Sequence, residues 1–256
     1  MNPLRAIFAA ARPALGTWVN VPSPVVVQAL AAAVPAGLDF VLVDAQHSAF
    51  GPERLEELIR AADGAGLACV VRVGVGDHVR AELLLDLGAA GIVFPCVNSV
   101  AEARAAAGLC RYPPAGTRSF GGLRALSGSG GSGDESDAPV CVVQIETGAA
   151  AEAAAELLGV PGVDVVFPGP VDLAWSLGLR GSYATFQEIS LALAPVLAGL
   201  EETARGAGVG LMRHAETPEA AQAAAAAGCS MITFTSDAGL LGRWASPLRT
   251  SGGGAA

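Results

Sequence analysis

One kind of joint recurs along this chain: a run of helical composition ends in glycine, and an apolar, β-branched segment follows within a few residues. Gly37-Leu38-Asp39, Gly66-Leu67, Gly88-Ala89-Ala90-Gly91, Gly208-Val209 and Gly228-Cys229 all read this way. Glycine suits such a joint because it enters the left-handed region that ends a helix without a Cβ clash. The apolar segments are candidate strands: Leu15 to Val19, Phe40 to Val43, Cys69 to Val73, Gly91 to Phe94, Val140 to Gln144, Val163 to Phe167, Val209 to Met212 and Ser230 to Thr235. Between them, Pro52 to Ile59 spaces its apolar residues by three and four, and Thr217-Pro218-Glu219 offers a cap, a first-turn proline and a first-turn acid. Strands apolar on both faces and alternating with helices imply a parallel sheet covered by crossover helices. Eight such units in 256 residues favour a closed (β/α)8 TIM barrel over an open doubly wound sheet. No Gly-x-Gly-x-x-Gly follows the first strand, which argues against a dinucleotide fold. The expected organisation is a single barrel over residues 1–249 and a disordered Gly/Ala tail over 250–256. Ser127 to Ser136 is too rich in Gly and Ser to pack and reads as a mobile loop.

Composition narrows the partners. Hydrophobic residues make up 52% and charged residues 15% of the chain, so there is ample material for a core. With a net charge of −9 and no basic stripe, nucleic acid is excluded as a partner. The five cysteines are scattered without a CxxC pair, as buried thiols in a reducing compartment would be. The apolar N-terminus is cut by Arg12-Pro13 too early for a signal peptide. The uncharged stretch from Pro13 to Leu38 contains four prolines, which rules out a membrane span. A cytoplasmic protein with no membrane partner is the expectation.

In a barrel the chemistry sits at the C-terminal ends of the strands. Sorting titratable residues by that rule gathers Asp44, Gln46 and His47 after the second strand and Arg72 on the third. It adds Gln144 and Glu146 after the fifth strand, and Asp172 in Pro168-Gly169-Pro170-Val171-Asp172 after the sixth. Any one acid here could be a helix cap or a solvated loop residue; several strands delivering such groups to one rim is harder to dismiss. Two carboxylates with water make an oxygen site for Mg2+ or Mn2+ with positions left for substrate, Co2+ being a further candidate. No second His or Cys lies nearby, which argues against zinc. Arg72 suits a carboxylate or a developing enolate oxygen, and His47 is a candidate for proton transfer.

Six segments carry a resemblance: Asp44-Ala45-Gln46-His47, Val71-Arg72-Val73, Leu85-Asp86-Leu87-Gly88-Ala89, Arg111-Tyr112-Pro113-Pro114-Ala115-Gly116-Thr117-Arg118, Gln144-Ile145-Glu146-Thr147 and Gly169-Pro170-Val171-Asp172-Leu173. With them the chain, from Gly16 to Asp237, resembles the class II 2-oxo-acid aldolases of the HpcH/HpaI type. That resemblance implies Glu146 and Asp172 as metal ligands and Arg72, supported by Gln144, on the pyruvyl group. It implies His47 with Asp86 as the acid–base pair, and Asp44, Gly169 and Pro170 beside the substrate. It also implies a homo-oligomer, a trimer of dimers (hexamer) whose last helix is exchanged between partners.

The activity expected is a lyase joining or parting pyruvate enolate and an aldehyde, so a small 2-oxo acid and an aldehyde are the partners. Oxaloacetate decarboxylation of the macrophomate-synthase kind, or lysis of an acyl-CoA, would use the same site. A barrel that only binds a metabolite would require these residues to be vestigial. A phosphate-binding isomerase barrel lacks its glycine-rich turn, since the eighth strand ends Thr233-Phe234-Thr235-Ser236-Asp237. Three features depart from the family pattern: Gln46 where Glu is frequent, the short Gly/Ser-rich segment after Arg118, and Met212-Arg213-His214 at the end of the seventh strand. The last two face acceptor recognition, for which Arg118 and Arg124 are the candidate cations.

Overall fold

The computed structural model describes residues 1–33, 37–122, 134–179 and 185–245. The Gly/Ala tail, Arg124 and residues 127–133 of the Gly/Ser-rich segment lie outside them. Eight parallel strands close in sequence order: β1 (Ala14–Val19), β2 (Phe40–Asp44), β3 (Ala68–Arg72), β4 (Gly91–Phe94), β5 (Val140–Ile145), β6 (Val165–Pro168), β7 (Gly210–Ala215) and β8 (Met231–Ser236). β8 returns to pair with β1, Ala14 opposite Met231, which completes the (β/α)8 barrel. Four of the five glycine joints are as anticipated: Gly66, Gly88, Gly208 and Gly228 have positive φ.

Side-chain alternation divides the apolar residues into two layers. One face of the strands packs under the outer helices, among them α3 (Pro52–Gly64), α4 (His78–Leu87) and α5 (Val100–Leu109). The other fills the barrel interior: Ala14, Phe40, Leu42, Ala68, Val70, Val93, Val140, Val142, Val165, Met212 and Met231. Gly16 belongs to this inner face, and a Cβ there would sit 2.6 Å from three atoms of the Phe40 ring. The missing side chain is what lets a phenyl group fit inside the barrel.

The N-terminus, read from sequence only as too broken for a signal peptide, forms α1 (Pro3–Ala9) and closes the bottom of the barrel. Leu4 is fully buried in the interior layer, and Asn2 Nδ2 donates to Ala90 O at 2.8 Å. Nearby, Arg111 donates to Asp164 (3.0 Å) and Glu135, while Arg5 donates to Asp164 (3.0 Å). Arg111, part of a motif that carried the resemblance, thus stabilises the bottom and does not reach the mouth. No helix among the described residues is long and apolar enough to cross a membrane.

Candidate active site

Continuing the inward alternation by one step toward the strand C-termini brings Trp18 (β1), Asp44 (β2), Arg72 (β3), Gln144 (β5), Phe167 (β6) and His214 (β7) to one level. All six line a cavity of about 280 Å3 at the mouth, together with Glu146, Gly169, Pro170 and Asp172. Strand periodicity therefore builds most of this site directly.

Arg72 is fixed on two sides. Its Nε and Nη2 donate to Asp44 Oδ1 and Oδ2 at 3.0 and 2.8 Å, and its guanidinium lies 4.6 Å from the centre of the Trp18 ring. Asp44 is buried and also accepts from the backbone N–H groups of Gln46 and His47 (3.2 and 3.3 Å). Two of the five guanidinium N–H donors are thus committed, which leaves the others to meet an oxyanion without rotation of the fork.

Glu146 stands just past β5 and is buried. Its Oε2 accepts from the backbone N–H of Cys96 at 2.9 Å and from the Cys96 thiol at 3.1 Å. Cys96 makes this double donation from a left-handed backbone (φ 53°), a strained conformation of the kind that gathers at functional sites. Val97 N–H donating to Gln144 O (3.2 Å) ties the same loop to β5. Burial raises the Glu146 pKa, the Cys96 hydrogen bonds oppose that rise and the charge of Asp172 adds to it. The Cys96 thiol is itself pushed up to about 12, by burial and then by Glu146. Asp172 lies in the first turn of α8 (Pro170–Ser176), where an acid also suits the helix dipole. Gly169 precedes that helix, and a Cβ on it would come within 2.7 Å of Glu146 Cγ, 2.8 Å of Glu146 Oε1 and 3.0 Å of Gln144 Nε2. Among the described residues the buried Gln144 Oε1 has no hydrogen-bond partner.

This donor set fits a hard divalent cation. A buried carboxylate whose charged form is disfavoured by burial, a second carboxylate beside it and an unpartnered amide oxygen all gain from a positive charge and its waters. No group of three or more His, Cys, Asp or Glu suited to a metal occurs among the described residues.

The expected His47–Asp86 pair does not form within this chain. His47 is exposed and outside the cavity lining, because the backbone leaves the strand after Asp44 and alternation no longer directs its side chain. Asp86 instead accepts from Arg118 Nη2 at 3.0 Å, and the Arg118 guanidinium lies over the Tyr112 ring (4.7 Å). Buried Arg118 is thus already committed and is not a free acceptor cation. Of the β7 departures, His214 lines the cavity, while Arg213 is paired with Glu201.

Sequence reasoning also missed Cys96 and Ser236. Ser236 reaches the cavity because Thr235, at φ 49°, breaks the β8–β1 register; a bulge re-aims the next side chain, and no sequence period encodes it.

The model of one family, HpcH/HpaI aldolase/citrate lyase, matches residues 15–241. The chain belongs to that family. A hydroxypyruvate/pyruvate aldolase from Sagittula stellata is 32% identical over 94% of this chain and 93% of its own length. A 2-dehydro-3,6-dideoxy-6-sulfogluconate aldolase from Pseudomonas putida is 37% identical over 66% of this chain and 67% of its own. Among solved structures, an HpcH/HpaI aldolase from Desulfitobacterium hafniense superposes with a TM-score of 0.85 at 27% identity, covering 98% of this chain and 97% of that one.

Proposed function

We propose that this HpcH/HpaI family member is a divalent-metal-dependent aldolase that makes or cleaves 4-hydroxy-2-oxo acids from a small 2-oxo acid and an aldehyde. The observation that carries the reading is the convergence on one cavity of a buried carboxylate, Glu146, an exposed one, Asp172, and an arginine already oriented by Asp44 and Trp18. Glu146 and Asp172 would hold the ion, Mg2+ or Mn2+ with Co2+ as a further candidate. When bound, it supplies Lewis-acid stabilisation of the enolate oxygen.

The chain's own residues do the rest. Arg72 presents its remaining N–H groups to the carboxylate and C2 oxygen of the 2-oxo acid. They are preorganised by the Asp44 fork, so no reorganisation is needed as negative charge develops. Gln144 hydrogen-bonds the same half of the substrate, and the backbone at Gly169–Pro170 gives it close approach. Trp18, Phe167 and Phe186, the aromatic residues of the lining, would shield the enolate from water. His47 enters the proposal as a titratable rim group beside Asp44; Asp86, bound to Arg118, acts through the loop it anchors.

A cytoplasmic setting agrees with five free thiols, four of them buried. A homo-oligomer, a trimer of dimers with an exchanged last helix, belongs to the same reading. It is supported by exposed Leu240 and Leu241 on the terminal helix α12 (Asp237–Ala245), and a hexameric sedimentation mass is expected.

The decisive experiment is a panel of aldehydes with pyruvate and hydroxypyruvate under Mg2+, Mn2+ and Co2+ in turn. Metal-dependent formation of 4-hydroxy-2-oxo acids supports the proposal. Pyruvate release from oxaloacetate with no aldol product under any metal would replace it with a decarboxylase.

A further inference from the structure

A chain of hydrogen bonds that this chemistry does not use directly runs inside the barrel wall beneath the cavity. Trp18 Nε1–H donates to Thr233 Oγ1 at 3.1 Å, Thr233 Oγ1 lies 3.1 Å from His214 Nδ1, and His214 Nε2 lies 2.8 Å from Glu216 Oε1. Glu216 is anchored in turn by Arg243 of α12, which donates to its backbone carbonyl at 2.6 Å and pairs with its carboxylate. Thr233 is fully buried and is not part of the cavity lining.

The two ends of this chain admit one arrangement in which every member both finds a partner and passes its proton in the same direction. A Glu216 carboxylate accepts, so in the His214 tautomer that donates Nε2–H to it Nδ1 is left as an acceptor. Indole can only donate, so Thr233 Oγ1 accepts from Trp18 and turns its own proton toward His214 Nδ1. A threonine hydroxyl is the group that can do both at once. The indole so held is the surface on which the Arg72 guanidinium rests, 4.6 Å from the ring centre, while Asp44 holds the other edge of the fork.

We infer that Thr233 is a positioning residue for Arg72. It acts through Trp18, and His214 and Glu216 keep its hydroxyl turned so that the oxygen faces the indole. The inference rests on the proposed role of Arg72 as the 2-oxo-acid contact, and it ties the docking of α12 to the donor half of the site.

Thr233→Val removes both bonds at nearly constant volume. The KM for pyruvate, and its dissociation constant measured by calorimetry, should rise about five- to tenfold, the scale of losing one neutral hydrogen bond. The KM for the aldehyde should stay within error, the melting temperature should fall because the Trp18 N–H and His214 Nδ1 lose their buried partner, and Thr233→Ser should restore the wild-type values. In 15N-tryptophan spectra the three tryptophans give three indole signals. The one lost in Trp18→Phe should shift and exchange faster with water in Thr233→Val. If Thr233→Val does not fold, the same signal is followed in His214→Asn, which keeps an acceptor near Nδ1, and in His214→Leu, which does not. Asn close to wild type with Leu displaced supports the chain; equal spectra overturn it. An unchanged indole signal or unchanged pyruvate affinity in Thr233→Val overturns the inference. Arg72→Lys separates the two levels. If it weakens pyruvate binding while Thr233→Val does not, only the inference falls; if it binds pyruvate as tightly as wild type, the proposed role of Arg72 falls first.

Discussion

Substituting Gly169 by Ala tests the metal assignment without touching a ligand. The backbone at Gly169 (φ −89°, ψ 92°) is open to alanine, so the added Cβ acts through space alone. It would stand 2.7 Å from Glu146 Cγ, about 0.7 Å short of the 3.4 Å at which ordinary contact begins. Glu146 cannot swing freely away, because two donors from Cys96 hold its Oε2. The displacement therefore falls on Oε1 and on Gln144, which a Cβ would crowd at 2.8 and 3.0 Å. A Mg2+-type ion tolerates ligand shifts of only about 0.2 Å, so a movement several times larger should weaken binding about 10- to 100-fold, roughly 1.4–2.8 kcal/mol. Stability should change less. Overpacking costs about 1–3 kcal/mol, and the reduced freedom of the unfolded chain returns about 0.4–1 kcal/mol. Mn2+ titration by calorimetry, beside urea unfolding in EDTA, measures both quantities on one protein. Wild-type Mn2+ affinity in Gly169→Ala would mean that Glu146 Oε1 does not face the ion, and the assignment of Glu146 would be lost with it.

Other outcomes follow from the same geometry. Glu146→Ala and Asp172→Ala should each abolish metal-dependent turnover with the circular dichroism spectrum unchanged; surviving metal-dependent activity in either would remove that residue from the ligand set. Glu146→Gln should stabilise the metal-free protein at pH 8. The folded-state pKa of Glu146 is raised, so its contribution is fully present below the ordinary carboxylate range and is lost as pH rises through the raised value. The stabilisation should fade in melts at acid pH, and a Gln variant less stable than wild type at pH 8 in EDTA would contradict this. Arg72→Lys should cost about 2 kcal/mol or more in kcat/KM for aldol cleavage, since ammonium cannot bind Asp44 through a fork and meet the substrate together. Gly16→Ala should destabilise by about 1–3 kcal/mol through its clash with Phe40, with partial recovery in the Gly16→Ala/Phe40→Leu double variant under urea. His47→Ala should slow exchange of the pyruvate methyl protons in D2O if His47 serves the methyl carbon; loss of cleavage with exchange intact would assign it to the aldehyde oxygen.

What could be read from sequence here divides along a physical line. Within a strand the side-chain period is fixed, so knowing that Phe40 and Leu42 face inward places Asp44 in the mouth, and Ala68 and Val70 do the same for Arg72. Strand ends, glycine joints and the acids that follow them were legible for that reason. Once the backbone leaves the strand the period lapses: His47, three residues past Asp44, turned to solvent, and Asp86, on a helix, found Arg118. Backbone strain is equally silent in sequence, so neither the left-handed Cys96 that clamps Glu146 nor the bulge at Thr235 that delivers Ser236 could be anticipated. The hydrogen-bond chain through Thr233 is a third case. Each member sits where alternation puts it, but which hydroxyl meets which ring depends on register between β7, β8 and β1, where His214 lies opposite Thr233 and Gly16 opposite the same residue. Register is set by closure of the whole barrel, so pairings across strands appear only when all eight are in place. Arg72, Gln144 and the Asp44 that orients Arg72 are therefore groups a strand period can find, whereas the Cys96 clamp on Glu146 and the Thr233 chain behind Trp18 are ones only the closed fold reveals.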